Sequence, residues 1–248
     1  MGLAVIVCSL CGQHAAQAQD SASHSVSTAE LKSLSVEELL NIEVTSVAKR
    51  PERLADAAAA VEVITNDDLQ RSGAVTLPES LRLADNLEVA QKNAHDWAIS
   101  ARGFNTDLAN KLLVLIDGRS VYTPLFSGVF WTAQDYLLAD VDRIEVVSGP
   151  GGTLWGANAV NGVINIIGKP AGDTQGLFVE GGAGDEWRDF AAARFGGSIA
   201  PNVYFRVYGK YLDDSAQWNS TGNAPDAWRQ GRGGFRIDGA SGEADHYT

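Results

Sequence analysis

Residues 141–169 read VDRIEVVSGPGGTLWGANAVNGVINIIGK, and the meaning of this stretch decides the fold. A strand-like run (Arg143, Ile144, Glu145, Val146, Val147) enters a glycine-rich loop, and a second run (Val163, Ile164, Asn165, Ile166, Ile167) leaves it. β-Branched residues of this kind fit a pleated sheet. Glycine reaches backbone conformations closed to other residues and lets another chain segment approach closely. Gly149, Gly151, Gly152, Gly156 and Gly162 therefore describe a crowded turn of fixed shape between two strands. The interval from Gly151 to Gly156 also fits the G-x-x-x-x-G spacing of a phosphate-binding loop. Ala157 and Asn158 stand where that motif needs Lys and Ser or Thr, so a phosphate would find no charge partner. The loop also runs into a strand, whereas a nucleotide loop opens a helix whose N-terminus faces the anion. Both departures argue against nucleotide binding.

Composition narrows the class. A net charge of −12 with no basic block argues against nucleic acid, whose recognition rests on clustered Lys and Arg. The cysteines are Cys8 and Cys11, and the histidines (His14, His24, His95, His246) are scattered without metal-ligand spacing. No metal site, cofactor or catalytic residue is expected, because no Ser/His/Asp, Cys/His or close carboxylate constellation is recognisable. Near the start, an apolar run over residues 3–10 is followed by Ala16-Gln17-Ala18, the A-x-A pattern of a secretory cleavage site. The run is shorter than the ~20 apolar residues that span a bilayer. No Lys or Arg precedes Lys32, so the positive part of this signal peptide is incomplete. A lipoprotein reading through Cys8 or Cys11 lacks a convincing small-residue lipobox. An exported chain without a membrane helix is periplasmic, secreted or an outer-membrane barrel.

Further along, residues 19–33 read as a flexible leader, and Ser35 with Glu38 forms a capping box for a short helix. Residues 42–50 read as an extended stretch closed by Pro51. Residues 61–64 form a strand; Thr65 with Asp68 caps a helix that stops at Gly73. Thr76 with Glu79 caps another, running to about Asn86. A strand at residues 112–116 ends in the turn Asp117-Gly118. Together these make a small α+β unit with a continuous core.

Three pieces occur in a telling order: Arg102-Gly103-Phe104, then VLIDGRSVY at residues 114–122, then the stretch at 141–169. In that order, over about residues 35–170, the chain resembles the plug domain of TonB-dependent outer-membrane receptors. The resemblance implies a signal peptide (1–18), a leader and short helix (19–41), an α+β plug domain (42–172) and the first antiparallel strands of a transmembrane β-barrel (173–248). It also implies a receptor that binds a scarce nutrient, a ferric siderophore or a cobalamin-like molecule, and imports it across the outer membrane with energy transmitted by TonB. Residues Ile42, Glu43, Val44, Thr45, Ser46, Val47 and Ala48 are similar to a TonB box, although their local pattern equally fits an ordinary edge strand. Arg102, Arg143 and Glu145 lie within matching motifs and are the expected plug–barrel contacts; the alternative is a solvated pair. Apical substrate contacts are expected among Asn93, His95, Trp97, Tyr122, Phe126, Phe130 and Trp131, where the aromatics equally suit packing.

After Lys169-Pro170 the texture changes. Val203, Phe205 and Val207 alternate with Tyr204, Arg206, Tyr208 and Lys210, and Phe235 and Ile237 alternate with Arg236 and Asp238. A dyad repeat in ten-residue segments is the signature of an outer-membrane barrel. A soluble antiparallel sheet with one wet face has the same alternation. About four strands fit between Gln175 and Thr248, too few to close a barrel of this kind, so the chain reads as a fragment. The rival reading is a soluble periplasmic binding module. Residues 19–41 are too few to hold a separate signalling domain.

Overall fold

The computed structural model describes residues 43–47, 49–57, 59–185, 187–241 and 245–248. The expected signal peptide, leader and Ser35–Glu38 capping box lie outside these residues, as do Ile42 and Ala48. The described residues fall into two compact units, one of residues 43–92 and 96–168, the other of residues 93–95 and 169–248.

The first unit contains β1 (Glu43–Val44), β2 (Glu52–Arg53), β3 (Ala60–Thr65), β4 (Glu88–Gln91), β5 (Trp97–Ser100), β6 (Leu112–Ile116), β7 (Arg119–Ser120), β8 (Tyr122–Thr123), β9 (Gly128–Val129), β10 (Val141–Ser148) and β11 (Gly162–Gly168). Its short helices are α1 (Asn66–Ser72), α2 (Leu77–Ser80) and α3 (Gly152–Trp155). Five strands form one sheet in the order β3-β10-β11-β6-β7. β10 runs antiparallel to both neighbours, while β11 and β6 are parallel. The quoted stretch is thus two adjacent central strands with the glycine loop between them. Alternate residues of these strands point to opposite faces. Ile64, Val114, Ile144, Val146, Ile164 and Ile166 fill one face together with Leu69, Leu77 and Leu81, while Leu113, Leu115, Val147 and Val163 fill the other. At the mouth of β11 a side chain has no room: a Cβ on Gly162 would meet the Val147 carbonyl oxygen at 2.6 Å.

Local signals hold at the helix ends. Thr65 and Asp68 form the reciprocal capping box, and Gly73 closes α1 with φ 73°. Asp117 and Gly118 both have positive φ, the geometry of a tight hairpin turn between β6 and β7. The second helix is shorter than its pattern implies. The Ser80 hydroxyl returns to the Leu77 carbonyl at 2.7 Å, and the chain tightens into a 3-10 turn at Leu81–Leu83.

The second unit contains β12 (Gly176–Gly182), β13 (Trp187–Ala200), β14 (Val203–Asp214), β15 (Trp218–Asn219), β16 (Gly222–Asn223), β17 (Trp228–Ser241) and β18 (Asp245–Tyr247). β12-β13-β14-β17-β18 form an antiparallel meander, five strands where the sequence pattern suggests about four. Leu177, Phe195, Val207 and Phe235 sit in one cross-strand row and are 51%, 52%, 48% and 79% exposed. The opposite face carries Arg206 and Lys210, both buried, and the half-buried Arg232 and Arg236. Greasy residues outside and charges covered is the reverse of a water-soluble sheet. No helix among the described residues is long and apolar enough to cross a membrane.

Candidate functional site

The second face of the first sheet is apolar at one end and turns polar towards Glu145 and Arg143. Val63, Glu145, Asn165 and Leu115 lie side by side across β3, β10, β11 and β6, beside the row Val61, Val147, Val163 and Leu113. Glu145 is fully buried in this face. A buried carboxylate is costly unless it is paired and hydrogen-bonded. Here its partners come from the far N-terminal end of the described chain. The Thr45 amide donates at 3.0 Å and the Ser46 amide at 2.8 Å, both to Oε2. The Ser46 hydroxyl donates to the same oxygen, and the Thr45 hydroxyl lies 3.3 Å from both. Arg143 Nε donates to Oε1 at 2.9 Å, and Arg143 also binds Asp142 at 2.7 Å.

Two consecutive amides aimed at one carboxylate cannot belong to an extended strand, where successive N–H groups point opposite ways. The expected extended stretch is therefore corrected: among its described residues only Glu43 and Val44 are strand, paired with Arg53 and Glu52, and the chain turns at Ser46 and Val47. Val47 packs on the apolar cluster of the same sheet face, with Ala59, Val61 and Trp155. A second grip comes from the glycine loop. Gly151 accepts the Trp155 amide at 2.8 Å, closing the single turn of α3. The Trp155 indole then donates to the Ser46 carbonyl at 2.7 Å, and the Lys49 ammonium sits 4.6 Å over its ring. The β1–β2 pair stands apart from the five-stranded sheet. The segment is thus held on that sheet by side chains and can leave without unpairing a strand of it.

The remaining candidates are placed as follows. Arg143 and Glu145, expected to face a barrel wall, direct the bonds just described within the first unit. Arg102 is exposed beside Gly149, and Arg102, Gly103 and Phe104 all have positive φ (60°, 85° and 59°). Trp97 and Trp131 are corrected from apical contacts to core side chains, 5% and 4% exposed in the same cluster, because both rings are swallowed by the apolar face of the sheet. Arg82 covers the Trp97 ring at 5.1 Å. Tyr122 is half-buried on β8, and Phe126 and Phe130 are exposed with ring centroids 5.3 Å apart. The Asn93 side chain accepts the His95 amide at 3.0 Å, and His95 stacks on Trp228 at 4.4 Å. Asp226 accepts the Ala94 amide at 3.0 Å, tying the same unit together. Lys92 ion-pairs with Asp107, whose hydrogen bond and charge raise the ammonium pKa above its usual value. Sequence reasoning missed Trp155, Lys49 and Trp228. It assigned Glu145 a different partner, since nothing local in IEVV announces a contact 99 residues away.

Residues 53–163 match the family described as the TonB-dependent receptor plug domain. The chain is 37% identical over 147 residues to the vitamin B12 transporter BtuB of Vibrio cholerae serotype O1, covering 57% of this chain and 23% of that protein. It is 30% identical over 230 residues to the ferric enterobactin receptor of Pseudomonas aeruginosa, covering 79% of this chain and 30% of that one. The fold is similar to the ferric yersiniabactin uptake receptor FyuA from Yersinia pestis, with a TM-score of 0.57 at 24% identity over 73% of this chain and 29% of that chain. The chain spans about a quarter to a third of the length of the curated relatives it matches (23% and 30%).

Proposed function

The chain carries a TonB-dependent receptor plug domain over residues 53–163, followed by antiparallel strands like those that open the barrels of such receptors, and on that premise we propose that the whole protein is an outer-membrane importer of a scarce nutrient, not an enzyme. The curated relatives are named for vitamin B12 and for ferric enterobactin. A cobalamin-like molecule or a ferric siderophore is accordingly the proposed substrate. Residues 1–18 serve export, 42–172 the gate and 173–248 the first part of the pore. Asn93, His95, Phe126 and Phe130 are the candidates for substrate contact, and Arg102 for the barrel wall.

One observation carries the reading: the segment at Glu43–Val47 is fastened by the side chains of Glu145 and Trp155 and not by the five-stranded sheet. A peptide held this way can be handed to a partner. Strand addition by TonB would use its main-chain N–H and C=O groups, which transmit force without demanding particular side chains. Glu145 competes for two of those N–H groups, so the segment must leave the carboxylate before it can extend. The rival reading, a soluble periplasmic module, fits poorly with the exposed row Leu177, Phe195, Val207 and Phe235, because soluble monomers rarely display contiguous apolar surface on this scale. Deleting residues 42–48 from the full-length receptor tests the proposal. Energised uptake should be lost while binding of cyanocobalamin or ferric enterobactin at the cell surface persists; uptake retained at the original rate would refute it.

A further inference from the structure

The chain leaves β11 and reaches β12 through residues 169–175, and this crossing is held by the sheet of the second unit. Arg206, on β14, is 1% exposed. Its guanidinium donates to the Lys169 carbonyl at 2.6 Å and lies 3.4 Å from the Thr174 hydroxyl. Asp238, on β17, accepts the Ala171 amide at 2.5 Å. Arg236 orients Asp238 through bonds of 2.8 and 3.0 Å. Arg206 pairs across the strands with Arg236, and Tyr204 with Asp238, so all four occupy neighbouring rungs of one face. The backbone fits as closely: a Cβ on Gly196 would meet the Thr174 carbonyl oxygen at 2.2 Å, and Gly172 lies on the Tyr204 ring. Ala171 is 0% and Thr174 2% exposed, so a connector that would ordinarily be a mobile loop is folded into the wall.

We propose that residues 169–175 are a fixed seat on the barrel wall, with Arg206 and Asp238 as its positioning residues, and that the gate rearranges only upstream of Lys169. A carbonyl and an amide of the connector are each bound to a charged side chain, and bonds to charged groups are the stronger class. The proposal rests on the transport reading, but its test does not require uptake. Hydrogen exchange of the full-length receptor in lipid vesicles would be followed under increasing urea. The amides of 169–175 should stay protected with β13 and β14 after β3 and β11 of the plug have begun to exchange. Arg206→Ala and Asp238→Asn should each speed exchange of the Ala171 amide at least tenfold with β14 unchanged, and Arg206→Lys should restore part of the protection. Exchange of 169–175 in step with the plug strands, or no change in either variant, overturns the seat. Failure of the transport reading would show separately, as uptake insensitive to deletion of residues 42–48.

Discussion

Replacing Glu145 by Gln in the full-length receptor should free the segment at Glu43–Val47 while leaving the sheet intact. The carboxylate accepts the Thr45 and Ser46 amides at 3.0 and 2.8 Å. Bonds to charged groups contribute about 1.5–3 kcal/mol each. Gln keeps the shape, but its carbonyl can serve both amides at the Oε2 position only by setting an NH₂ against Arg143 Nε, which donates to Oε1 at 2.9 Å, and its bonds lose their charge. Against this loss stands the relief of a fully buried charge, which offsets part of it. A net weakening of about 2–3 kcal/mol is expected, roughly a 30–150-fold rise in the detached population. Arg143 keeps Asp142 at 2.7 Å, so no cation is stranded. The row Val63–residue 145–Asn165 keeps its strand pairing, so unfolding from the detached state is unchanged and global stability should fall by at most the same amount, about 2–3 kcal/mol. Two readouts suit this: hydrogen exchange of the Thr45 and Ser46 amides, and the mobility of a spin label at Val47. Exchange must rise at the Thr45 and Ser46 amides while the amides of β10 and β11 keep their protection in native buffer. Exchange and label mobility within about threefold of the parent would refute the idea that Glu145 holds the segment.

Three further outcomes follow from the same geometry. Trp155→Phe keeps the ring under Lys49 but removes the indole bond to Ser46 at 2.7 Å, a loss of about 1 kcal/mol that should raise segment exchange roughly fivefold. Gly162→Ala places a methyl 2.6 Å from the Val147 carbonyl oxygen, and overpacking a central strand should cost about 2–3 kcal/mol in chemical denaturation of the plug. Val207→Arg puts a charge in the exposed apolar row and should destabilise the lipid-embedded receptor by about 2–4 kcal/mol, whereas the same change in detergent-free buffer would be harmless for a soluble sheet.

Much of the fold was legible because its signals are local. The Thr65–Asp68 capping box, the Thr76 cap, the Gly73 stop and the Asp117-Gly118 turn each depend on residues within four positions of one another. The central strands announced themselves by β-branched runs, since both faces of the plug sheet are covered. The dyad repeat in residues 203–210 gave the meander its two faces for the same reason. The site was less legible because it depends on distant partners. A Glu between Ile144 and Val146 reads as a residue on the wet face of a strand, and only the folded chain brings Thr45 and Ser46 across it. The extended reading of residues 42–50 failed because a side-chain carboxylate outcompeted the backbone ladder for two amides. Trp97 and Trp131 looked apical from their loops, yet their rings supply the core with large apolar area. Arg206 showed only as the polar member of an alternation; its burial follows from the connector folded onto it.

The central claim is that the segment at Glu43–Val47 is the peptide through which energy enters, and binding of the periplasmic domain of TonB to the full-length receptor in lipid vesicles tests it most directly. The parent should bind weakly until substrate is added, Glu145→Gln should bind strongly without substrate, and the receptor lacking residues 42–48 should not bind in either state. Equal binding by the deleted receptor and the parent would contradict the account.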